Sequence, residues 1–260
     1  MTFRIATFNL HQGFKRWEER RELIVEQLGE LSPDILSLNE ISVPLQTGRW
    51  LQQVARDSLG LQYVLIQYNK SNELSQDEAQ GLLTRFPVIE TGGFEYLARN
   101  RIAQVSRVEI EGRYIDIYVT HLHHVPEEDG LRQYEVQRLF QWIESRDDVS
   151  TRIVCGDFNA TPDAPSIKLI PDSFRTAQTT PTCPTSLEAP GELPVWHGFA
   201  RPGPIQPLSL CYDYIWLTDD LDICGTGLCF NRPHPDDPTL WPSDHVGVWA
   251  DLSLLVGNGK

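Results

Sequence analysis

The stretch Arg152-Ile153-Val154-Cys155-Gly156-Asp157-Phe158-Asn159-Ala160-Thr161-Pro162 decides the reading of this chain. Arg152 to Cys155 is a short apolar run of the length of a buried strand. It stops at Gly156-Asp157-Phe158-Asn159, residues that turn the chain and present polar atoms. Upstream, Leu131 to Ile143 reads as a helix, with Leu131, Tyr134, Leu139, Trp142 and Ile143 on its apolar side. A buried strand ending in carboxylate and amide is where loops that carry chemistry begin.

Working outward, the same pattern recurs. Arg4 to Asn9 reads as a first strand and Trp17 to Leu31 as a helix with Trp17, Ile24, Leu28 and Leu31 near one stripe. Ser32-Pro33-Asp34 breaks the chain before a strand from Ile35 to Asn39 that ends at Glu40. Trp50 to Leu59 is a second amphipathic helix, stopped near Gly60. Tyr63 to Gln67, Gly81 to Thr84, Val88 to Phe94 and Ile102 to Ile110 are strands. Glu111-Gly112 turns the last of these into Tyr114 to Thr120, a hairpin partner. In that partner Ile115, Ile117, Val119 and His121 share one face, and Tyr114, Asp116, Tyr118 and Thr120 the other. Pro171 to Pro207, rich in Pro, Thr and Gly, is a long connection. Tyr214 to Leu217, Leu221 to Phe230 and Val246 to Leu252 close the pattern. With neither repeat nor linker, residues 1–255 form one α/β domain and 256–260 a tail.

Bulk properties narrow the function. The 260 residues, 40% of them apolar, suffice for a large core, and no window reaches the roughly 18 apolar residues of a membrane span. The N-terminus lacks the pattern of a secretory signal, so the expected compartment is cytoplasmic. Five cysteines without metal spacing read as buried free thiols. A formal net charge of -14 disfavours long nucleic acid as a partner, because duplex binding draws on Lys and Arg.

Six strand boundaries carry one donor set: Asn9; Asn39-Glu40; Thr120-His121; Asp157-Phe158-Asn159; Asp213-Tyr214; and Ser243-Asp244-His245. Any one of them alone reads as a turn or a cap. Together they match the demands of phosphate-ester hydrolysis. A cation neutralises the phosphoryl oxygens, a positioned base takes a proton from water, and fixed donors meet the charge of the transition state. Mg²⁺ or Mn²⁺ suits such oxygen-rich donors.

The anchors Gly156-Asp157-Phe158-Asn159-Ala160-Thr161-Pro162 and Ser243-Asp244-His245, with Gln80-Gly81-Leu82-Leu83-Thr84-Arg85-Phe86-Pro87 and Asp213-Tyr214-Ile215, make the chain resemble the endonuclease/exonuclease/phosphatase superfamily, the DNase I-like phosphoesterases. The resemblance runs from Ile5 to His245. It implies a four-layer α/β/β/α sandwich of two mixed sheets flanked by helices, with the site at one end between the sheets. It also implies that Asn9, Glu40 and Asp244 bind the metal and that Asp157 orients or deprotonates water. Asn159 would bond the phosphate, Asp213 would orient His245, and His245 would donate to a phosphoryl oxygen. His121 would contact phosphate or the leaving group.

The expected function is therefore a metal-dependent phosphodiesterase or phosphatase on a small or lipid-linked ester. The alternatives are a nuclease with the same site and a non-catalytic binding module of the same fold.

Secondary expectations concern the rim. His11 reads as a bystander, and His123 as facing either cleft or solvent. Arg85 and Arg99 are minor candidates for approaching a phosphate, and Trp196 either packs its loop or walls the substrate. Arg16, Arg20 and Arg21 read as a solvated helix face, and His197 and His234 as exposed loop residues.

Overall fold

The computed structural model describes residues 1–14, 16–70, 77–178, 184–188, 206–207 and 210–255. In chain order the elements are β1 (Thr2–Asn9), α1 (Trp17–Leu31), β2 (Ile35–Ser42), α2 (Thr47–Leu59), β3 (Val64–Asn69), β4 (Glu78–Thr84), β5 (Val88–Glu95), β6 (Ile102–Ile110) and β7 (Arg113–His121). There follow α3 (Asp129–Glu144), β8 (Arg152–Asp157), β9 (Phe174–Thr176), β10 (Leu187–Glu188), β11 (Gln206–Pro207), β12 (Asp213–Thr218), β13 (Leu221–Cys229) and β14 (Gly247–Leu254).

Two six-stranded mixed sheets form the centre. One has the order β13-β14-β1-β2-β4-β3, with β1 and β2 parallel; the other has β5-β6-β7-β8-β12-β9, with β7 and β8 parallel. Strand alternation decides the layers. Odd-numbered residues of β1, β2, β7, β8 and β12 face the opposite sheet: Phe3, Ile5, Ile35, Ile115, Ile117, Val119, Ile153, Cys155, Ile215 and Leu217 make one core between the sheets. Their even-numbered neighbours face outward. Ala6, Phe8, Leu36 and Leu38 meet Ile24, Leu28, Leu51 and Ala55 of α1 and α2. Tyr118, Val154 and Tyr214 meet Val136, Leu139, Phe140 and Ile143 of α3. The result is the expected four-layer α/β/β/α sandwich. Each buried Leu, Ile or Phe contributes about 1.5–3 kcal/mol.

The same parity builds the site. Continuing the inward face of each strand gives Asn9, His121 and Asp157 at the ends of β1, β7 and β8, Asn39 at the irregularity within β2, and Asp213 at the start of β12. The registers bring them level: Asn9 pairs with Asn39, His121 with Asp157, and Asp157 with Asp213. One end of the intersheet core is thus polar because five strands change from apolar to polar on the same face.

Glu40 would point to the helix side by alternation. It does not continue the strand: Glu40 has φ 53°, and an extra residue enters β2 between Leu38 and Ile41 relative to β4. Such a bulge re-aims a side chain. β2 resumes to Ser42 and β4 starts at Glu78, so both are longer than the apolar runs predicted. α1 has the predicted bounds. Among the described cysteines, Cys155, Cys211 and Cys229 are buried, whereas Cys224 is exposed, which corrects the expectation for that residue. The expected tail 256–260 lies outside the described residues.

Candidate active site

Asp157 is the centre of the cluster. It is 1% exposed, and its Oδ2 lies 3.1 Å from Asn9 Nδ2, 3.5 Å from His121 Nε2 and 3.6 Å from His245 Nε2. Its Oδ1 accepts the Asn159 backbone N–H at 2.8 Å, and its own N–H is held by Asn39 Oδ1 at 3.0 Å. Burial raises the Asp157 pKa, opposed by the His245 ring. Asn159 follows in the left-handed region, φ 49°, and its side-chain N–H donates to the Leu122 carbonyl at 3.1 Å. A non-glycine residue held there costs free energy that the surrounding bonds offset, as at many functional sites.

His245 Nδ1–H donates to Asp213 Oδ2 at 2.9 Å, and Asp213 is fully buried. Burial pulls the imidazole pKa down, but Asp213 and Asp157 overcome it and hold the pKa well above the ordinary value. The ring is a charged donor at neutral pH. His121 is the opposite case. Burial and the Arg101 charge lower its pKa, while its Nδ1 faces Glu78 Oε1 at 3.3 Å. A neutral ring donating to Glu78 turns its Nε2 lone pair towards Asp157 and towards Glu40 Oε1, 4.0 Å away.

Glu40 closes the cluster. Its Oε1 accepts from Asn9 Nδ2 at 3.3 Å. Burial, then the charges of Glu78 and Asp244, push its carboxyl up to about 7. Asp244 lies beside it with Oδ2 2.8 Å from His11 Nδ1. Burial raises the Asp244 pKa, and the His11 and His245 rings more than offset that. His11 is therefore part of the cluster rather than a bystander.

The oxygen-rich mouth fits a hard divalent cation. Glu40 and Asp244 are carboxylates whose proximity is costly without counter-charge: Asp244 adds to the burial and the Glu78 charge that raise the Glu40 pKa. Ligand atoms of Asp157, Asp213 and His245 also lie within 4.8 Å of one another. There, however, the His245 charge already balances Asp213, so the Glu40 and Asp244 side is the better cation site. Asn9 enters this geometry as a bridge: its amide N–H₂ spans Glu40 and Asp157 while its Oδ1 accepts the His11 backbone N–H at 2.9 Å.

The rim departs from expectation. Arg85 pairs with Asp34 and the Ser32 carbonyl beside the start of β2, the opposite end of that strand from Glu40, so it does not reach a phosphate here. His123 is committed to the α3 region, its backbone N–H on Glu135 and its Nε2 2.5 Å from Glu128. Trp196 and His197 lie outside the described residues. Arg20 is not solvated: it is buried and donates to the carbonyls of Leu10, His11, Phe14 and Pro242, tying together the loops that carry His11 and Asp244.

Two participants were missed, Gln80 and Glu78, and Asn39 was read as part of a strand-end donor pair without a role of its own. Buried Asn39 bonds Gln80, the Thr120 carbonyl and the Asp157 N–H across the two sheets. Its signal, a polar residue on the inward face of an apolar strand, was present in the sequence.

A two-sheet sandwich with carboxylates, amides and an Asp–His pair converging at one end defines a class, the DNase I-like phosphoester hydrolases. The profile of the Endonuclease/Exonuclease/phosphatase family matches residues 6–245, and the chain belongs to that family. Its members are generally divalent-metal dependent. A comparison with curated proteins finds no match.

Among solved structures, the chain is similar to the endonuclease/exonuclease/phosphatase from Bacteroides vulgatus, at 19% identity and TM-score 0.75, covering 98% of this chain and 99% of that one. It is similar to D. rerio TDP2 complexed with single strand DNA product, at 15% identity and TM-score 0.75, covering 97% and 99%. It is also similar to the human Nocturnin catalytic domain with bound sulfate anion, at 21% identity and TM-score 0.69, covering 97% and 94%.

Proposed function

We propose that the protein is a Mg²⁺- or Mn²⁺-dependent phosphoesterase, a phosphodiesterase or phosphatase acting on a small phosphate ester. The convergence of Glu40, Asp157 and His245 on one cluster bridged by Asn9, from strands far apart in sequence, carries this reading. Glu40 and Asp244 would hold the cation, which when bound neutralises phosphoryl charge and acidifies a water. Asp157, its pKa raised, takes the proton of the attacking water. Asn159 and the Asp157–Asn9 contact fix that carboxylate, and the Asn159 amide stands beside it for a phosphoryl oxygen. His245, charged through Asp213, donates to the phosphoryl oxygens as negative charge grows. His121, neutral and held by Glu78, presents Nε2 to the leaving-group side.

Hydrolysis of bis-p-nitrophenyl phosphate and p-nitrophenyl phosphate tests this. Chelation is expected to abolish turnover and Mg²⁺ or Mn²⁺ to restore it. Glu40→Gln and His245→Ala are each expected to lower kcat about 10²- to 10⁴-fold with the fold intact; full activity in either variant removes the mechanism.

A nuclease is the second reading, favoured by the likeness to the TDP2 structure holding a DNA product. Turnover of DNA or RNA that falls steeply with added salt supports it over a small ester.

A further inference from the structure

Beside the catalytic cluster, between the end of β3 and the turn joining β5 to β6, is a cavity of about 650 Å³ whose lining includes Lys70, Glu95, Arg99, Asn100 and Arg101. Its lining carries three cations and one carboxylate, Glu95, in a chain of net charge -14. Lys70 and Arg101 are both buried, 7% exposed each. They lean on the same acid: Glu78 Oε2 lies 2.6 Å from Lys70 Nζ, and Glu78 Oε1 lies 3.7 Å from Arg101 Nη1. Glu78 also receives His121 Nδ1, so one carboxylate serves two buried cations and an imidazole. Arg101 Nη2 meets His124 Nδ1 at 3.1 Å, and among the described residues its buried Nη1 makes no hydrogen bond beyond the ion-pair contact with Glu78. Arg99, 60% exposed, pairs at 3.3 Å with Glu128, which is itself shared with His123.

A cavity whose lining carries three cationic side chains and one carboxylate suits an anion with several acceptors. The cavity is joined to the catalytic cluster through Glu78 and His121, whose Nε2 is 4.0 Å from Glu40. Building on the phosphoesterase reading, we propose that this cavity is a subsite for a second phosphate, so that the substrate is an ester carrying one scissile phosphate and one that Arg101, Arg99 and Lys70 grip. Phosphate suits the place better than carboxylate because its two charges and three oxygens match three cations. Both a small bisphosphorylated metabolite and the end of an oligonucleotide offer that chemistry.

Titrating inorganic phosphate into the chelator-treated protein by calorimetry tests the subsite without any turnover. One phosphate is expected to bind the wild type and His245→Ala, and to bind at least tenfold more weakly to Arg99→Glu and Lys70→Gln. No binding by the wild type, binding unchanged in both charge variants, or binding lost in His245→Ala overturns the subsite. In Mg²⁺, KM is then compared within two pairs: thymidine dinucleotide with and without a 5′-phosphate, and a hexose bisphosphate against its monophosphate. A KM at least tenfold lower for the doubly charged member of one pair supports the proposal and identifies the source. Equal KM within both pairs overturns it. Intact phosphate binding with no turnover of any ester leaves the subsite standing and sinks the phosphoesterase reading alone.

Discussion

Asp213 never touches the mouth of the site, yet it sets the chemistry of the residue that does. It is buried beneath His245, and its charge is what lifts that imidazole's pKa against burial. Asp213→Asn is expected to lower kcat about 10²-fold. The charged ring exists below its pKa and is lost as pH rises through it, so removing the Asp213 charge lowers that pKa. The alkaline limb of the rate profile should therefore move to lower pH, and a pH–rate profile unchanged in the variant would refute the pairing. Gly156 is a second case in which one residue decides a geometry. Its φ is 135°, and a Cβ there would sit 2.0 Å from the Thr120 carbonyl oxygen and 3.1 Å from Asn39 Oδ1. Gly156→Ala strains the backbone and wedges β8 from β7, at a cost of about 2–6 kcal/mol from the two effects together. Denaturant unfolding measures it, and a loss under 1 kcal/mol would mean the strands separate freely.

At the scale of elements, α1 does more than cover the first sheet. It carries Trp17, Ile24 and Leu28 into the helix-side core, as its stripe foretold. From the same helix Arg20 reaches under the β1–α1 loop and the segment before β14. Burial pulls its guanidinium down to about 10, while Asp244 and Glu40 pull it back up, so its charge also faces the acidic mouth. Replacing it with methionine keeps the apolar stem and removes the side-chain donor from the buried Leu10 and Pro242 carbonyls. Arg20→Met is expected to cost about 2–6 kcal/mol, since each buried acceptor left unpaired costs about 1–3 kcal/mol. It should also raise the Mg²⁺ concentration needed for half-maximal turnover, because the loops bearing His11 and Asp244 are no longer tied. Wild-type metal dependence in a destabilised variant would reduce Arg20 to a structural role.

Across the whole molecule, the acidic end of the sandwich trades stability for function. The Glu40 carboxyl has a folded-state pKa of about 7 against about 4.5 for an ordinary Glu. For an acid whose folded pKa is raised, the stabilising contribution is complete below the unfolded value and fades as pH rises through the folded one. His245 and Asp157, both raised, act in the same direction. The chelated protein is therefore expected to lose Tm between pH 5 and about pH 8. Mg²⁺ should recover most of the loss, and Glu40→Gln should flatten the dependence. A chelated wild type whose Tm rises over that range would contradict the crowding of carboxylates described for the site.

Much of this architecture was legible in the chain itself. Periods of two and 3.6 placed α1 at Trp17–Leu31 and β6 at Ile102–Ile110, and polar residues closing apolar runs pointed to Asn9, Glu40, His121, Asp157 and Asp213. Local sequence encodes these because side-chain direction within a strand or helix follows from backbone periodicity alone. Glu78 and Gln80 escaped because Glu-Ala-Gln is not an apolar run; the pairing of β4 with β2 and β3 makes it strand. Arg20 looked solvated because a helix surface does not announce which loops will fold over it. Sequence by itself determined the strands, their inward faces and the donor types at their ends. Only the tertiary structure decided which ends meet, that Glu40 is turned inward by a bulge, and that Lys70 and Arg101 share one carboxylate, because those facts depend on contacts between residues far apart in the chain, which no local period records.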